Sequence, residues 1–152
     1  MPTLPEILTA PARRQRVLDD CVLLIDEEVA KKGGLSGMAI KGAFAIVKGV
    51  KPGFIREAMD HMLDDFAARL QPFYEGHQKD PSRPLDAHFI AHSGGVADAL
   101  LGITDERSQR AKNAAVKKTY EKLRPTAKKH VEEAVPGLAR LVAKHSAAAA
   151  AA

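Results

Sequence analysis

The segment at residues 36–50 constrains the fold most, because its apolar residues recur with a helical period and cover nearly every side of that helix. Within it, only Lys41 and Lys48 are charged. A helix that is apolar all round normally lies inside its domain, among other helices. It also contains glycines, each less favourable in a helix than alanine by about 1 kcal/mol, which indicates close contact between backbones. The three glycines are Gly37, Gly42 and Gly49. We therefore expect a central helix here, covered either by its own chain or by a second copy.

The rest of the chain also has a helical period, and no stretch alternates apolar and polar residues as a half-buried strand does. Further helices are predicted to begin near Pro11, Pro52, Leu85, Val96 and Thr104. The helix from Pro52 is predicted to end near Phe73, before a loop at 75–84, and the last helical stretch to be kinked or split at Pro136. The predicted fold is all-α: a compact bundle of five to eight helices around the helix at 36–50. One domain spans residues 1–146, and the alanine run at 147–152 is set aside from the functional argument.

Composition excludes several classes of protein. Of 152 residues, 45% are hydrophobic and 28% are charged, which excludes collagen-like and disordered chains. The single cysteine, Cys21, cannot form an internal disulfide, and it lies among apolar residues where a reduced thiol acts as a small apolar group. No signal peptide is predicted, and the longest apolar stretch, 35–50, is shorter than the roughly 20 residues of a membrane helix. We therefore expect a cytoplasmic protein.

The net charge of +4 is concentrated in the second half of the chain. Residues 1–74 contain ten basic and ten acidic residues, whereas 107–129 contain nine basic residues and one acidic residue. On a predicted helix at 105–124, six basic residues share one side, opposite Val116, Tyr120 and Leu123. They are Arg107, Arg110, Lys117, Lys118, Lys122 and Arg124. Such a face is typical either of a site for nucleic acid, anionic lipid or an acidic protein, or of an ordinary solvated helix surface.

Other candidate sites are incomplete. His88 and His92 are four residues apart on a predicted helix, as in some metal sites, but the glutamate of the zinc-protease motif and a third ligand are missing. A pair of histidines at the surface or near a hinge is therefore favoured over a metal site. Ser36 is predicted to cap a helix rather than to act as a nucleophile. No catalytic residue and no cofactor is predicted, because phosphate-binding, dinucleotide-binding and nucleophile-elbow motifs are absent from the sequence.

Several motifs together resemble a family of small bacterial proteins that is known only as a domain of unknown function. The segments that carry the resemblance include 32–37 (KGGLSG), 40–45 (IKGAFA) and 47–53 (VKGVKPG), followed by 70–73, 98–101 and 114–120. The resemblance implies a single bacterial domain, and it brings no catalytic residues to transfer.

Three functional hypotheses follow. The first is a non-catalytic helical interaction or adaptor protein, with a protein partner or a homo-oligomer. The alternative is binding of nucleic acid or of an anionic membrane surface through the basic side of the helix at 105–124. A third is carriage of an apolar ligand beside Met38, Met59 and Met62. An enzymatic role is not expected.

Overall fold

A computed structural model describes residues 2–151 of the chain. It contains seven α-helices and, within that range, no strand. They are α1 (Leu4–Thr9), α2 (Arg14–Lys31), α3 (Gly34–Lys48), α4 (Phe54–Lys79), α5 (Leu85–Ala91), α6 (Ser93–Gln109) and α7 (Ala114–Ala151). The all-α class and the predicted number of helices are confirmed.

The two long helices, α4 and α7, organise the bundle. Each of them contacts all five of the other helices, which lie between and around them. The core is built from large apolar residues on these helices, such as Leu63 and Leu70 of α4 and Val135 and Val142 of α7, all almost fully buried. Helices α1, α5 and α6 add further buried side chains, and the Tyr74 hydroxyl lies 2.8 Å from Ser146 Oγ to link α4 to α7. The predicted alanine tail belongs to α7 as far as Ala151, with Ala149 packed against the core.

The prediction that the helix at 36–50 lies at the centre is wrong. Within α3, only Gly37 and Ala43 are buried, and its large apolar residues Leu35, Met38 and Ile46 are exposed. The physical reason is that α4 and α7 already fill the core with large side chains, so that α3 lies against them at the edge of the bundle and its inward residues Ile40, Phe44 and Val47 are only half-buried. A Cβ at Gly37 would lie only 2.6 Å from the Lys32 carbonyl carbon, so position 37 accepts no larger residue.

The predicted helix at 105–124 is divided by the structure. Helix α6 runs through Thr104, whose hydroxyl donates to the Leu101 carbonyl at 3.1 Å instead of capping a new helix. Helix α7 begins only at Ala114, because Asn113 Oδ1 accepts the backbone N–H groups of Ala115 and Val116 at 2.9 and 3.1 Å.

Helices α4 and α7 continue past the points where they were predicted to end or to split. Helix α7 continues through both Pro125 and Pro136, so the predicted split at Pro136 is wrong. Helix α4 likewise continues through Pro72 to Lys79, which shortens the predicted loop at 75–84 to residues 80–84. A proline removes one backbone hydrogen bond, and packing of the long helices against the bundle offsets that loss.

Candidate functional site

The candidate site is the side of α3 that points away from the bundle. Leu35, Met38 and Ile46 are 88%, 71% and 53% exposed there. Seven exposed residues fall within about 120° of the helix circumference, at 100° per residue. We call them the α3 outer face: Leu35, Met38, Ala39, Gly42, Ala45, Ile46 and Gly49. None of them has a polar side chain, so the face is an apolar surface that the described part of the chain leaves uncovered.

Glycine at position 42 is not explained by the chain itself. A Cβ at Gly42 would meet no atom within 4 Å, so there is no close packing that requires glycine. Its backbone does not require glycine either, because among the described glycines only Gly34 and Gly53 have a positive φ. Glycine inside a helix is less favourable than alanine by about 1 kcal/mol. The middle of the α3 outer face therefore carries an unfavourable residue without a reason inside the monomer.

Two lysines border one flank of the α3 outer face. Lys48 Nζ lies 3.1 Å from an Asp26 carboxylate oxygen and 4.9 Å from the centre of the Phe44 ring. Lys41 is exposed two turns earlier. The charge of Lys48 is thus balanced within the chain, and the face itself stays apolar.

Polar contacts along a cleft attach the first turn of α3 to α7. Ser36 Oγ lies 2.7 Å from His130 Nε2, and Lys32 Nζ lies 2.8 Å from a Glu133 carboxylate oxygen. The cleft has a volume of about 340 Å³. The prediction that Ser36 caps the helix is wrong, because Gly33 occupies the capping position and Ser36 lies within the first turn. These contacts fix the orientation of α3 and hence of its outer face.

The Ser36–His130 pair has only part of a nucleophilic site. Burial and then the charge of Lys32 lower the pKa of His130, so the imidazole is neutral at pH 7. Its Nδ1 is buried and has no hydrogen-bond partner within residues 2–151. A histidine that acts as a base is normally oriented by a third group at that nitrogen. The arrangement accounts for attachment of α3 to α7 better than for nucleophilic chemistry.

Two of the six predicted basic residues, Arg107 and Arg124, bond to groups on other helices of the same chain. Arg124 Nε donates to Asp105 at 2.8 Å, and the Tyr120 hydroxyl donates to the same carboxylate. The Arg124 guanidinium lowers the pKa of Asp105, while burial and then the bond to Asp105 raise the pKa of Tyr120 to about 12. The prediction that Tyr120 and Arg124 lie on opposite sides is therefore wrong. Arg107 Nη2 donates to the His61 carbonyl at 2.7 Å.

The other four basic residues do not form one helix face. Arg110 lies in the link between α6 and α7, whereas Lys117, Lys118 and Lys122 are exposed on α7. The predicted continuous basic side at 105–124 is wrong because the helix is interrupted: α6 ends at Gln109 and α7 begins at Ala114. Binding of nucleic acid or an anionic membrane stays a prediction, now with four basic residues, in place of six, that have no side-chain partner within residues 2–151.

A third histidine joins the predicted pair. The ring centres of His88 and His92 are 4.5 Å apart, and those of His77 and His88 are 5.8 Å apart. His88 is only 9% exposed, and burial followed by the two neighbouring histidines lowers its pKa. Within the described residues, no three His, Cys, Asp or Glu side chains are placed to hold a metal. The sequence missed His77 because it lies in the stretch predicted as a loop, whereas α4 continues through it and brings it next to His88.

A larger groove lies between α2 and α7, with a volume of about 590 Å³. Its floor includes Leu24 and Gly137, and a Cβ at Gly137 would lie 2.5 Å from Leu24 Cδ1. The predicted apolar ligand site beside Met38, Met59 and Met62 stays a prediction: Met38 belongs to the α3 outer face, whereas Met59 packs against the core. Neither this groove nor the polar cleft is lined by those methionines.

Over the described range, no helix combines the length and the apolar character that are needed to cross a bilayer. Comparison with known proteins gives one match: a sequence model described as "Family of unknown function (DUF6918)" covers residues 4–146. Searches of curated proteins and of solved structures each found no match. The resemblance to a family of unknown function is thereby confirmed.

Proposed function

Because the chain belongs to the DUF6918 family, whose function is unknown, we propose its role from its surface. It is a non-catalytic interaction protein that binds a partner protein through the α3 outer face. The observation that carries the proposal is the exposure of Leu35, Met38 and Ile46 on one side of one helix.

Burial of these side chains supplies a driving force for binding. Moving a leucine, methionine or isoleucine side chain fully out of water contributes about 1.5–3 kcal/mol. Because the three side chains lie on a helix that is already formed, the free energy of their burial is not offset by the cost of ordering a loop on binding. A contiguous exposed apolar patch on a small protein is typical of an interaction surface.

The small residues of the α3 outer face favour a helix as the partner structure. Ala39, Gly42 and Ala45 let another backbone approach closely, as in tightly packed helix pairs. Helices that lie on a membrane surface instead carry large leucine, phenylalanine or tryptophan side chains across their apolar side. The α3 outer face therefore suits a protein helix better than a lipid surface.

The non-catalytic part of the proposal is supported by the Ser36–His130 pair, where the third group of a nucleophilic site is missing from the described contacts. The role is proposed for the cytoplasm, where the single thiol, Cys21, stays reduced. Partial burial raises the pKa of Cys21 to about 12, so this thiol is also poorly reactive.

The test is a photo-crosslinking amino acid placed at Met38 in cells that produce the protein. A matched control carries the same group at Asp65, an exposed position of α4 that is not part of the α3 outer face. We expect a discrete protein adduct of defined mass from position 38 and none from position 65. No adduct from position 38, or the same diffuse products from both positions, would contradict the proposal.

A further inference from the structure

We propose that the partner of the α3 outer face is a second copy of this chain, with the two α3 helices antiparallel about a two-fold axis at Gly42. This inference rests on the proposed interaction function and adds the identity and the register of the partner. The symmetry is the commonest one among homo-oligomers, and it requires a surface that is complementary to itself.

The α3 outer face has this self-complementarity. In an antiparallel pair centred on Gly42, each residue lies beside the residue that is equally far from position 42 on the other side. The resulting pairs are Leu35 with Gly49, Met38 with Ile46, Ala39 with Ala45, and Gly42 with its own symmetry mate. The most exposed large side chain thus meets a glycine, and the pairs nearest the axis are small. Small residues at the axis allow the two helices to approach closely, and the larger residues nearer the ends pack around that contact.

Gly42 supports the same arrangement independently of that pattern. Nothing within 4 Å of its Cβ position and no positive φ accounts for glycine in the monomer. On a two-fold axis, however, this residue faces its own copy, and the absence of both Cβ atoms allows the backbones to approach. The second copy supplies the reason for glycine that the single chain lacks.

The electrostatics permit this pairing. Antiparallel helices place opposite dipole ends side by side, which is favourable. The contact surface contains no charge, and Lys48 is neutralised by Asp26 in its own chain. The Lys41 residues of the two copies would lie on the same flank, with their Cα atoms about 9 Å apart. That distance is close to the Debye screening length at physiological salt. Added salt should therefore strengthen association slightly.

The size of the face sets the expected affinity. Helix α3 has 15 residues, so it is about 22 Å long and offers a contact strip roughly 10 Å wide. That strip is much smaller than the roughly 800 Å² per copy of a standard stable interface. We therefore expect a reversible dimer with a dissociation constant in the micromolar range or above.

A disulfide at the axis tests the register. Helix axes in close contact are about 8–10 Å apart, so Cα atoms that face each other are roughly 3.5–5.5 Å apart, which overlaps the range that a disulfide spans. The Gly42→Cys variant is compared with Lys41→Cys, whose Cα atoms would be about 9 Å apart and too distant. In a glutathione buffer we expect at least about tenfold more disulfide-linked dimer from Gly42→Cys. Equal yields, or more dimer from Lys41→Cys, overturn the proposed register.

Sedimentation of the unmodified chain tests the dimer itself. We expect a reversible monomer–dimer equilibrium that Gly42→Leu weakens by about tenfold to a hundredfold, because the added side chain overpacks the axis. The monomer of Gly42→Leu should unfold at or above the original temperature, since the space at position 42 is open. A chain that stays monomeric at all concentrations overturns the inference. A discrete adduct of another mass from the photo-crosslinker at Met38 would then leave the proposed interaction function intact, with a different partner.

Discussion

Two glycines of α3 should respond in opposite ways to replacement by alanine. Gly42 lies on the α3 outer face, where a Cβ meets nothing within 4 Å, whereas a Cβ at Gly37 would lie 2.6 Å from the Lys32 carbonyl carbon and 2.9 Å from its oxygen. Both changes gain helix propensity of about 0.8–1 kcal/mol. Only Gly37→Ala also forces a methyl group into a backbone contact, at a typical cost of about 1–3 kcal/mol.

The expected free energies differ in sign. Gly42→Ala should raise the free energy of unfolding of the monomer by about 1 kcal/mol, which corresponds to a rise in Tm of roughly 2–4 °C for a chain of this size. Gly37→Ala should lower the free energy of unfolding by about 1 kcal/mol, the net of overpacking and propensity. Urea denaturation at protein concentrations well below the onset of dimerisation measures both values without a contribution from association.

The comparison can refute the description of α3. Loss of stability in Gly42→Ala would mean that some part of the same chain covers position 42 in the monomer. A gain of stability in Gly37→Ala would mean that α3 does not lie against the Lys32 backbone as the structure has it.

Further predictions concern other parts of the molecule. Asp105→Ala should lower the free energy of unfolding by about 1 kcal/mol in thermal denaturation, because Arg124 and Tyr120 lose their common acceptor in a partly solvated position; no loss would mean that Arg124 is a free surface residue. The free energy of unfolding should fall as the pH is lowered below about 6.5, because the fold holds the pKa of His88 below that ordinary value and the unfolded chain takes up the proton first. Urea denaturation across this pH range should show that the free energy of unfolding changes less with pH in His88→Asn than in the original chain. The same pH dependence in both proteins would contradict the assignment of the effect to His88. Self-association should be unchanged or strengthened by added salt, since it buries no charge and brings two Lys41 side chains near each other; marked weakening in sedimentation would indicate an ionic interface instead.

The sequence was sufficient for the fold class and insufficient for the position of α3. The helical period at 36–50 correctly indicated a helix, because periodicity reports which side chains share a side. It could not report what covers that side, because burial by the same chain and burial by a second molecule select the same apolar residues. The open space at Gly42 shows that the described part of the chain does not cover that side, and this is visible only in three dimensions.

Helix ends show a similar limit. A threonine hydroxyl satisfies either a free N–H at the start of a helix or a carbonyl within one, so Thr104 alone could not indicate which is present. The true start of α7 was set by Asn113, four residues after α6 ends. This local error joined residues of two helices into one predicted basic face.

Charged and titratable residues were the least predictable part. The composition of 107–129 is basic, but the partners of Arg107 and Arg124 come from α4 and α6, which packing alone brings into reach. His77 likewise reaches His88 only because α4 continues past Pro72. Pairing of surface charges depends on tertiary neighbours, and sequence spacing within one helix does not contain that information.

The rate of oxidation of Met38 as a function of protein concentration tests the central claim most directly. Met38 is 71% exposed, whereas Met59 packs against the core. Mass spectrometry of peptides from one sample follows oxidation at both positions, so Met59 serves as an internal reference. In dilute solution, we predict that peroxide oxidises Met38 much faster than Met59, and that this difference shrinks as the concentration passes through the micromolar range or above, where a small interface forms. Slow oxidation of Met38 in dilute solution would contradict the exposure of the α3 outer face, and a rate that does not change with concentration would contradict its burial by a second copy.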